Sequence, residues 1–220
     1  IYNHAGPEIG VASTKAFTSQ VTVLALLALF LGRRRGLSLQ EGKEMAKQIA
    51  ALPEAISKIL EKAPEIKTLA EKYKDHSNMI FMGRKYNYPV ALEGALKLKE
   101  TSYIHAEGLS AGEMKHGPIA MIDESLPTVA ICLFDSVRDK MISNIQEVKA
   151  RSGPIIVLAS DNDEEVIGLT DDIIRIPDVK EVLSPILSVI PLQIFAYHVS
   201  VARGIDPDKP RNLAKSVTVE

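Results

Sequence analysis

The amino-acid sequence predicts an α/β fold in which a parallel sheet is covered by helices on both faces. From residue 79 onwards, short apolar segments without strict alternation are separated by helical segments, a pattern typical of strands buried on both faces. The 220 residues are 46% hydrophobic, which suffices for one large domain or two small ones. A formal net charge of −2 argues against nucleic acid and acidic membranes as partners.

The first predicted helix covers residues 15–34 and contains the most apolar segment of the chain. Ser13 or Thr14 can cap its N-terminus, and three arginines at its end complement the negative pole of the helix dipole. The apolar run 21–31 is about half of the roughly 20 residues that cross a bilayer, so a buried helix and no membrane partner are expected. The single cysteine, Cys132, favours a reducing, cytoplasmic location.

Two further helices complete an N-terminal part in which no strand is predicted. Ser38 and Glu41 have the spacing of a capping box, which marks the start of a helix. Pro53 is expected to end that helix near residue 52, before an amphipathic stretch. Another helix is predicted over 64–73.

Strands and helices alternate in the rest of the chain. The predicted order is a strand at 79–82, a loop at 84–89, a helix that contains residues 91–102, a strand at 128–134, a helix at 136–151, a strand at 155–159, a short helix at 164–168, a strand at 173–176 and a last helix at 182–202. Ligands of such sheets bind beyond the carboxyl ends of the strands. The loop after Met82 is therefore expected to lead into a binding site.

Three charged residues lie on one face of the helix that follows this loop. Glu93, Lys97 and Glu100 have the spacing i, i+4 and i+7, which places two carboxylates and an ammonium in one stripe. Such a stripe is a candidate acid/base site. An ordinary surface salt bridge has the same spacing, and the residues alone leave that alternative open.

His116 lies in a loop with two glycines and a proline, which favours a fixed conformation. It can be an acid/base residue or a turn histidine bonded to backbone. With Lys97, Glu100 and Lys215 it supplies the groups that isomerise an open-chain sugar phosphate: a carboxylate that moves a proton, a second acid/base that opens the ring and a lysine that forms an imine. The other histidines lack metal-ligand spacing, so we expect no metal and no cofactor.

Two irregular segments can contact a ligand. Residues 6–15 lead from a glycine-containing loop into a helix N-terminus, where an anionic or hydroxylated ligand can bind; a plain capped helix start is the alternative. The tail, residues 206–220, has little periodicity. It can fray or fold over a site as a lid.

Three segments, in this order, closely resemble one enzyme family: residues 8–20, 91–118 and 206–220. They are similar to the isomerase half of the glutamine:fructose-6-phosphate amidotransferases. The resemblance implies two sugar-isomerase (SIS) domains, each a parallel sheet sandwiched by helices. Residues 1–70 would then be the helical end of the first domain and its connection, 71–205 the complete second domain, and 206–220 a tail over the active site.

The resemblance also implies roles for individual residues. Glu100 would move the proton between the first and second sugar carbons, with Lys97 beside it. His116 would assist ring opening in the site of a neighbouring subunit, and Lys215 would form an imine with fructose 6-phosphate. The residues expected to line the sugar or to lie near it are Val11, Ser13, Ala214, Glu8 and Glu93.

The family implies fructose 6-phosphate and glucosamine 6-phosphate as ligands, a homodimer, and a glutaminase domain that supplies ammonia in the full-length protein. It also implies that the phosphate-binding loop precedes Ile1, so this chain is expected to be a fragment and a poor catalyst by itself. Two alternatives stay open: a SIS isomerase or deglycase that works without glutamine, and a SIS module that binds a sugar phosphate without turnover.

Overall fold

The computed structural model describes residues 1–214, and this part of the chain contains six α-helices and five strands. The helices are α1 Lys15–Arg34, α2 Leu39–Glu61, α3 Ala63–Tyr73, α4 Asn87–Ser102, α5 Arg138–Lys149 and α6 Ser184–Ala202. The strands are β1 Asn78–Gly83, β2 His105–Ser110, β3 Thr128–Cys132, β4 Ile155–Ser160 and β5 Ile173–Ile176. Short 3-10 turns lie at Ala111–His116, Pro118–Met121, Glu165–Gly168 and Glu181–Leu183.

All five strands pair in parallel, in the order β2-β1-β3-β4-β5. Neighbouring side chains of a strand point to opposite faces, so Met79 and Phe81 enter one apolar core while Ile80 and Met82 enter the other. Each such fully buried side chain stabilises the fold by about 1.5–3 kcal/mol. The predicted fold class, a parallel sheet between helices, is confirmed.

The two faces of the sheet are covered unequally. The core on one face contains buried residues of α2, α3, α4 and α6, and α1 packs on its outside. The core on the other face is covered mainly by α5 and by the 3-10 turn Ala111–His116, through Met114 and Met141. The face on which an element lies therefore decides which site residues can meet.

The sequence prediction missed β2, the edge strand. It has only one fully buried residue, Ala106, while His105 and Glu107 are exposed. Its hydrogen bonds to β1 run from Asn78↔His105 onwards. A strand that is formed mainly by backbone pairing with an apolar neighbour carries little hydrophobic pattern of its own.

The prediction that Pro53 ends the second helix is wrong, because α2 continues to Glu61. Proline in a helix interior removes one backbone hydrogen bond and costs about 3 kcal/mol. Leu52 and Ile59, on either side of it, are 4% and 0% exposed. Packing of both turns against the same core offsets this cost. At the start of the same helix, the capping box of Ser38 and Glu41 forms as predicted.

Other bounds differ by a few residues. The predicted strand 128–134 ends at Cys132, and the predicted helix 136–151 covers 138–149. The loop expected at 84–89 is shorter, because α4 already begins at Asn87 and has a proline in its first turn. A proline is tolerated there, since the first amides of a helix have no partner within it.

The expectation that the first helix is buried is wrong, because none of the residues of α1 is fully buried. Phe17 and Val21 pack against the core from half-buried positions, while Leu24 and Phe30 are 61% and 57% exposed. By length and composition alone, α1 and residues 181–202 are apolar enough to cross a membrane. The second of these is a core helix, with 67% of its apolar window buried.

Candidate active site

The candidate site is centred on α4, whose inner face packs on the sheet through Ala91, Ala95 and Leu98. On another face, the Nζ atom of Lys97 lies 2.7 Å from Oε2 of Glu100 and 3.4 Å from Oε1 of Glu93. The Lys97 side chain is only 4% exposed. One ammonium is thus enclosed between two carboxylates, which is not the geometry of a surface salt bridge.

The carboxyl group of Glu93 is electrostatically destabilised. Burial raises its pKa above the ordinary value of 4.5, and the negative charge of Glu100 adds to this, while Lys97 opposes it. One ammonium cannot fully compensate two partly buried carboxylates. The site is therefore a place where a proton can be held or exchanged.

A cavity of about 360 Å³ lies next to Lys97. Four segments enclose it: residues 7–15 before α1, the second half of α4, the middle of α6, and the start of the tail at 207–208. Its volume falls within the range of small-molecule sites, about 300–1,000 Å³. Lys97 and Glu8 are the predicted site residues that line it.

The cavity is not at the sheet edge where the sequence predicted a site. Because β1 and β2 are parallel, α4 runs back between them, and Thr101 at its end lies near the amino ends of the strands. Within residues 1–214, the loop after Met82 does not line the cavity. The site is formed between helices rather than beyond the strands.

At the carboxyl edge itself, side chains bond to one another. Asn87, only 1% exposed, accepts a hydrogen bond of 2.9 Å from the hydroxyl of Ser188 and lies 3.5 Å from a carboxylate oxygen of Asp135. Burial raises the pKa of Asp135. Lys85 pairs with Glu181 at 2.7 Å. These side chains at the carboxyl edge are therefore held by one another.

Glu8 caps α1, a role that the sequence assigned to Ser13 or Thr14. Its Oε1 accepts hydrogen bonds from the amides of Thr14 at 3.0 Å and Ala16 at 3.2 Å. Thr14 occupies the N-cap position, but its side chain makes no capping bond. A carboxylate satisfies free amides and complements the positive pole of the helix, so Glu8 fixes the loop between itself and α1.

Val11 and Ser13 belong to this loop and are half-buried, but neither lines the described cavity. The amide of Val11 donates a hydrogen bond of 3.2 Å to the carbonyl of Asp208, which ties the loop to the tail. Gly10 lies close to the same tail residue, because a Cβ atom there would be 2.8 Å from Oδ1 of Asp208, at the end of a side chain that can move. Ala214 is exposed.

Lys215, the lysine expected to form the imine, lies outside the described residues. The tail was expected to cover the site. Pro207 and Asp208, in its first part, line the cavity.

His116 ends the 3-10 turn Ala111–His116 and is exposed. Met114 of the same turn is buried in the core on the α5 face of the sheet, whereas Lys97 lies on α4, which packs on the opposite face. The loop is shaped by Gly117, whose φ of 150° suits glycine. The sheet thus separates His116 from Lys97 and Glu100 within one chain.

Sequence reasoning missed three polar residues that line the cavity. Thr101 follows Lys97 by four positions and donates a hydrogen bond of 2.9 Å to its carbonyl; the i+4 spacing was a usable signal. Gln193, whose side-chain amide donates to the carbonyl of Thr14 at 3.3 Å, and Tyr197 come from α6. Their helix is so uniformly apolar that no pattern distinguished them.

Two further findings bear on the chemistry. Within residues 1–214, no group of three His, Cys, Asp or Glu side chains has the arrangement to hold a metal ion. Cys132 is buried on β3, and this burial raises the pKa of its thiol to about 12. At neutral pH the thiol is protonated and is no nucleophile.

The chain is similar to known proteins in both sequence and structure. The glutamine–fructose-6-phosphate aminotransferases (isomerizing) of Chlorobaculum tepidum and Thermus thermophilus are 54% and 52% identical to the chain over its whole length. The chain spans 36% and 37% of the length of these relatives. The C-terminal domain of glucosamine-fructose-6-phosphate aminotransferase from Francisella tularensis superposes with a TM-score of 0.87 at 38% identity, over 93% of this chain and 58% of that one.

The SIS domain model matches residues 72–203. This range contains all five strands, the helix with Glu93, Lys97 and Glu100, and α6. The chain belongs to the SIS domain family.

Proposed function

We propose that this chain is the isomerase part of a glutamine–fructose-6-phosphate aminotransferase, which makes glucosamine 6-phosphate from fructose 6-phosphate and glutamine-derived ammonia. The observation that carries the proposal is the match, at 54% and 52% identity over the whole chain, to two enzymes of this name. The trio of Glu93, Lys97 and Glu100 beside a cavity, with Lys97 buried and both carboxylates partly buried, supports it.

In the proposed reaction, the amine of Lys215 attacks the C2 carbonyl of the open-chain sugar and releases water, which forms an imine. Ammonia then replaces the lysine at C2. The Glu100 carboxylate takes a proton from C1 and returns it to C2, while the C1 hydroxyl gives up its proton and the nitrogen at C2 gains one, which converts the ketose imine into the amino aldose. The Lys97 ammonium, 2.7 Å from Glu100, holds this carboxylate in place.

Ring opening requires a second acid/base, and His116 is the proposed group. Since the sheet separates it from Lys97 within one chain, we propose that it serves the site of the other subunit of a homodimer. Val11, Ser13 and Ala214 are proposed to line the sugar. A cytoplasmic location and a glutaminase domain in the full-length protein belong to the same proposal.

The test replaces Glu100 in the full-length polypeptide, in which this chain is extended to the length of its relatives. Slow isomerisation of fructose 6-phosphate to glucose 6-phosphate, without glutamine, is measured by a coupled dehydrogenase assay. Glu100→Gln keeps the size of the side chain and removes the base, so the rate should fall at least about 100-fold. Glu124→Gln, at an exposed carboxylate, should leave it unchanged.

Normal turnover by Glu100→Gln would remove the proposed base. Absence of isomerisation in the unaltered full-length polypeptide, with sugar phosphate still bound, would instead favour a binding module.

A further inference from the structure

Tyr103 directly follows the helix that carries Lys97 and Glu100, and its backbone is left-handed, with a φ of 61°. Its amide donates a hydrogen bond of 3.2 Å to the carbonyl of Lys99, which ends α4. This conformation is unfavourable for a bulky side chain and persists where surrounding contacts hold it. The contacts of the Tyr103 side chain therefore bear on this backbone conformation.

The C-terminal tail contacts the Tyr103 side chain. The backbone amide of Arg211 donates a hydrogen bond of 2.6 Å to the hydroxyl of Tyr103. The guanidinium carbon of Arg211 lies 4.2 Å from the centre of the Tyr103 ring, a stacked cation–π contact. One aromatic side chain thus holds both the main chain and the side chain of a single tail residue.

A further contact holds the part of the tail that the structure describes, residues 206–214. The carbonyl of Asp208 accepts the hydrogen bond from the amide of Val11. Between Asp208 and Arg211, Pro210 is buried. The tail is therefore fixed to the loop before α1 and to the end of α4, the two elements that carry most of the candidate site.

The distances allow an effect on the reaction. Lys215 follows Arg211 by four residues, which span at most about 14 Å. Along α4, Lys97 precedes Tyr103 by six residues, about 9 Å at 1.5 Å per residue. An anchor at Arg211 hence limits, by the covalent length of the chain alone, how far Lys215 can lie from the Lys97 cavity, and without the anchor this limit is lost.

We propose that Tyr103 is a positioning residue, which fixes Arg211 and thereby presents Lys215 to the carbonyl of the sugar. The inference rests on the proposed function, in which Lys215 forms the imine. It adds a residue that does not line the cavity and that acts through the tail.

The first test uses the chain without substrate. Tyr103→Phe keeps the ring and removes the hydroxyl, so amide hydrogen exchange at Arg211, followed by mass spectrometry, should become about fivefold faster. Tyr88→Phe changes a tyrosine at the other end of the same helix and should leave the exchange rate at Arg211 unchanged. Equal exchange in Tyr103→Phe and the unaltered chain would overturn the anchor.

The second test uses the full-length polypeptide with fructose 6-phosphate. Tyr103→Ala should lower kcat about tenfold and lower the fraction of Lys215 trapped by borohydride by the same factor. The KM for fructose 6-phosphate should stay within twofold, because the residues that line the cavity are unchanged. Tyr103→Phe, which preserves the stacking, should give intermediate values.

The outcomes separate the two proposals. Full trapping and normal kcat in Tyr103→Ala, with label at Lys215 in the unaltered protein, would overturn the role of Tyr103 alone. A label that is absent from Lys215 even in the unaltered protein would overturn the imine step and, with it, this role of Tyr103.

Discussion

The ammonium of Lys97 shows how burial changes the meaning of a common sequence pattern. On a helix surface, a lysine four residues from a glutamate contributes about 0.3–0.5 kcal/mol. Here the lysine side chain is 4% exposed and has carboxylates on both sides. Lys97 is buried and both carboxylates are partly buried, and withdrawing these charges from water costs free energy that the pairing only partly returns. Stability alone therefore does not explain the arrangement, which fits the proposed role in the reaction.

The titration of Glu93 provides a prediction for pH. Its pKa is raised above 4.5, mainly by burial, so the folded protein binds this proton more tightly than the unfolded chain. Stability must therefore fall as the pH rises from the ordinary pKa through the folded one, by up to about 1.4 kcal/mol for each unit of the shift. Glu93→Gln removes this loss.

We expect Glu93→Gln to be more stable, relative to the unaltered chain, at about pH 7 than at about pH 4, measured by urea unfolding at both values. Glu124→Gln serves as the control, because its carboxylate is exposed. A relative stability of Glu93→Gln that is the same at both pH values would contradict the raised pKa.

Among the elements, β2 and α4 pack so closely that one glycine controls their separation. A Cβ atom on Gly108 would lie 2.6 Å from Cα and 2.8 Å from N of Leu92. These are backbone atoms, so Gly108→Ala must push α4 away from the sheet edge. We expect the free energy of unfolding to fall by about 2–3 kcal/mol in urea titrations.

The matched control for this change is Gly168→Ala, where an added Cβ atom meets nothing within 4 Å. It should alter the free energy of unfolding by no more than about 0.5 kcal/mol. If both alanine variants were equally stable, the close approach of α4 to β2 would not constrain the position of Lys97.

The elements also show what sequence patterns can and cannot predict. The buried strands β1, β3 and β4 were predicted, because a strand covered on both faces is apolar almost throughout. β5, which is buried at alternate positions, was predicted from its isoleucines. β2 was missed, since its pairing with β1 needs no apolar pattern. The prediction that Pro53 ends the helix failed because helix propensity reflects only the local sequence. The burial of Leu52 and Ile59, which keeps the helix intact, depends on tertiary packing.

The site shows the same division. The spacing of Glu93, Lys97 and Glu100 placed them correctly on one helix face. Nothing local indicated that the cavity lies between helices, or that Gln193 and Tyr197 of α6 line it. These facts depend on how α6 docks on α4, which is a property of the whole fold.

For the whole molecule, the position of His116 makes a prediction about assembly. If each site uses Glu100 of one subunit and His116 of the other, the variants Glu100→Gln and His116→Ala are both inactive alone. Mixed and allowed to exchange subunits, half of the dimers are hybrids with one complete site. About one quarter of the full activity should return.

The control is His76→Ala mixed with Glu100→Gln, because His76 follows α3 and its ring lies 5.7 Å from that of Tyr73, at the end of that helix. That mixture should retain the activity of its unaltered sites without new complementation. No recovery in the Glu100→Gln and His116→Ala mixture would show that His116 does not serve a neighbouring site.

At the cavity, two segments that are far apart in the sequence meet, since the amide of Val11 bonds to the carbonyl of Asp208. These residues are about 200 positions apart, so their contact closes a long loop. During synthesis on the ribosome, the sheet can pair before Pro207 and Asp208 emerge, but the cavity wall that they form cannot. A nascent chain halted before Asp208 would therefore be folded and yet unable to enclose a ligand.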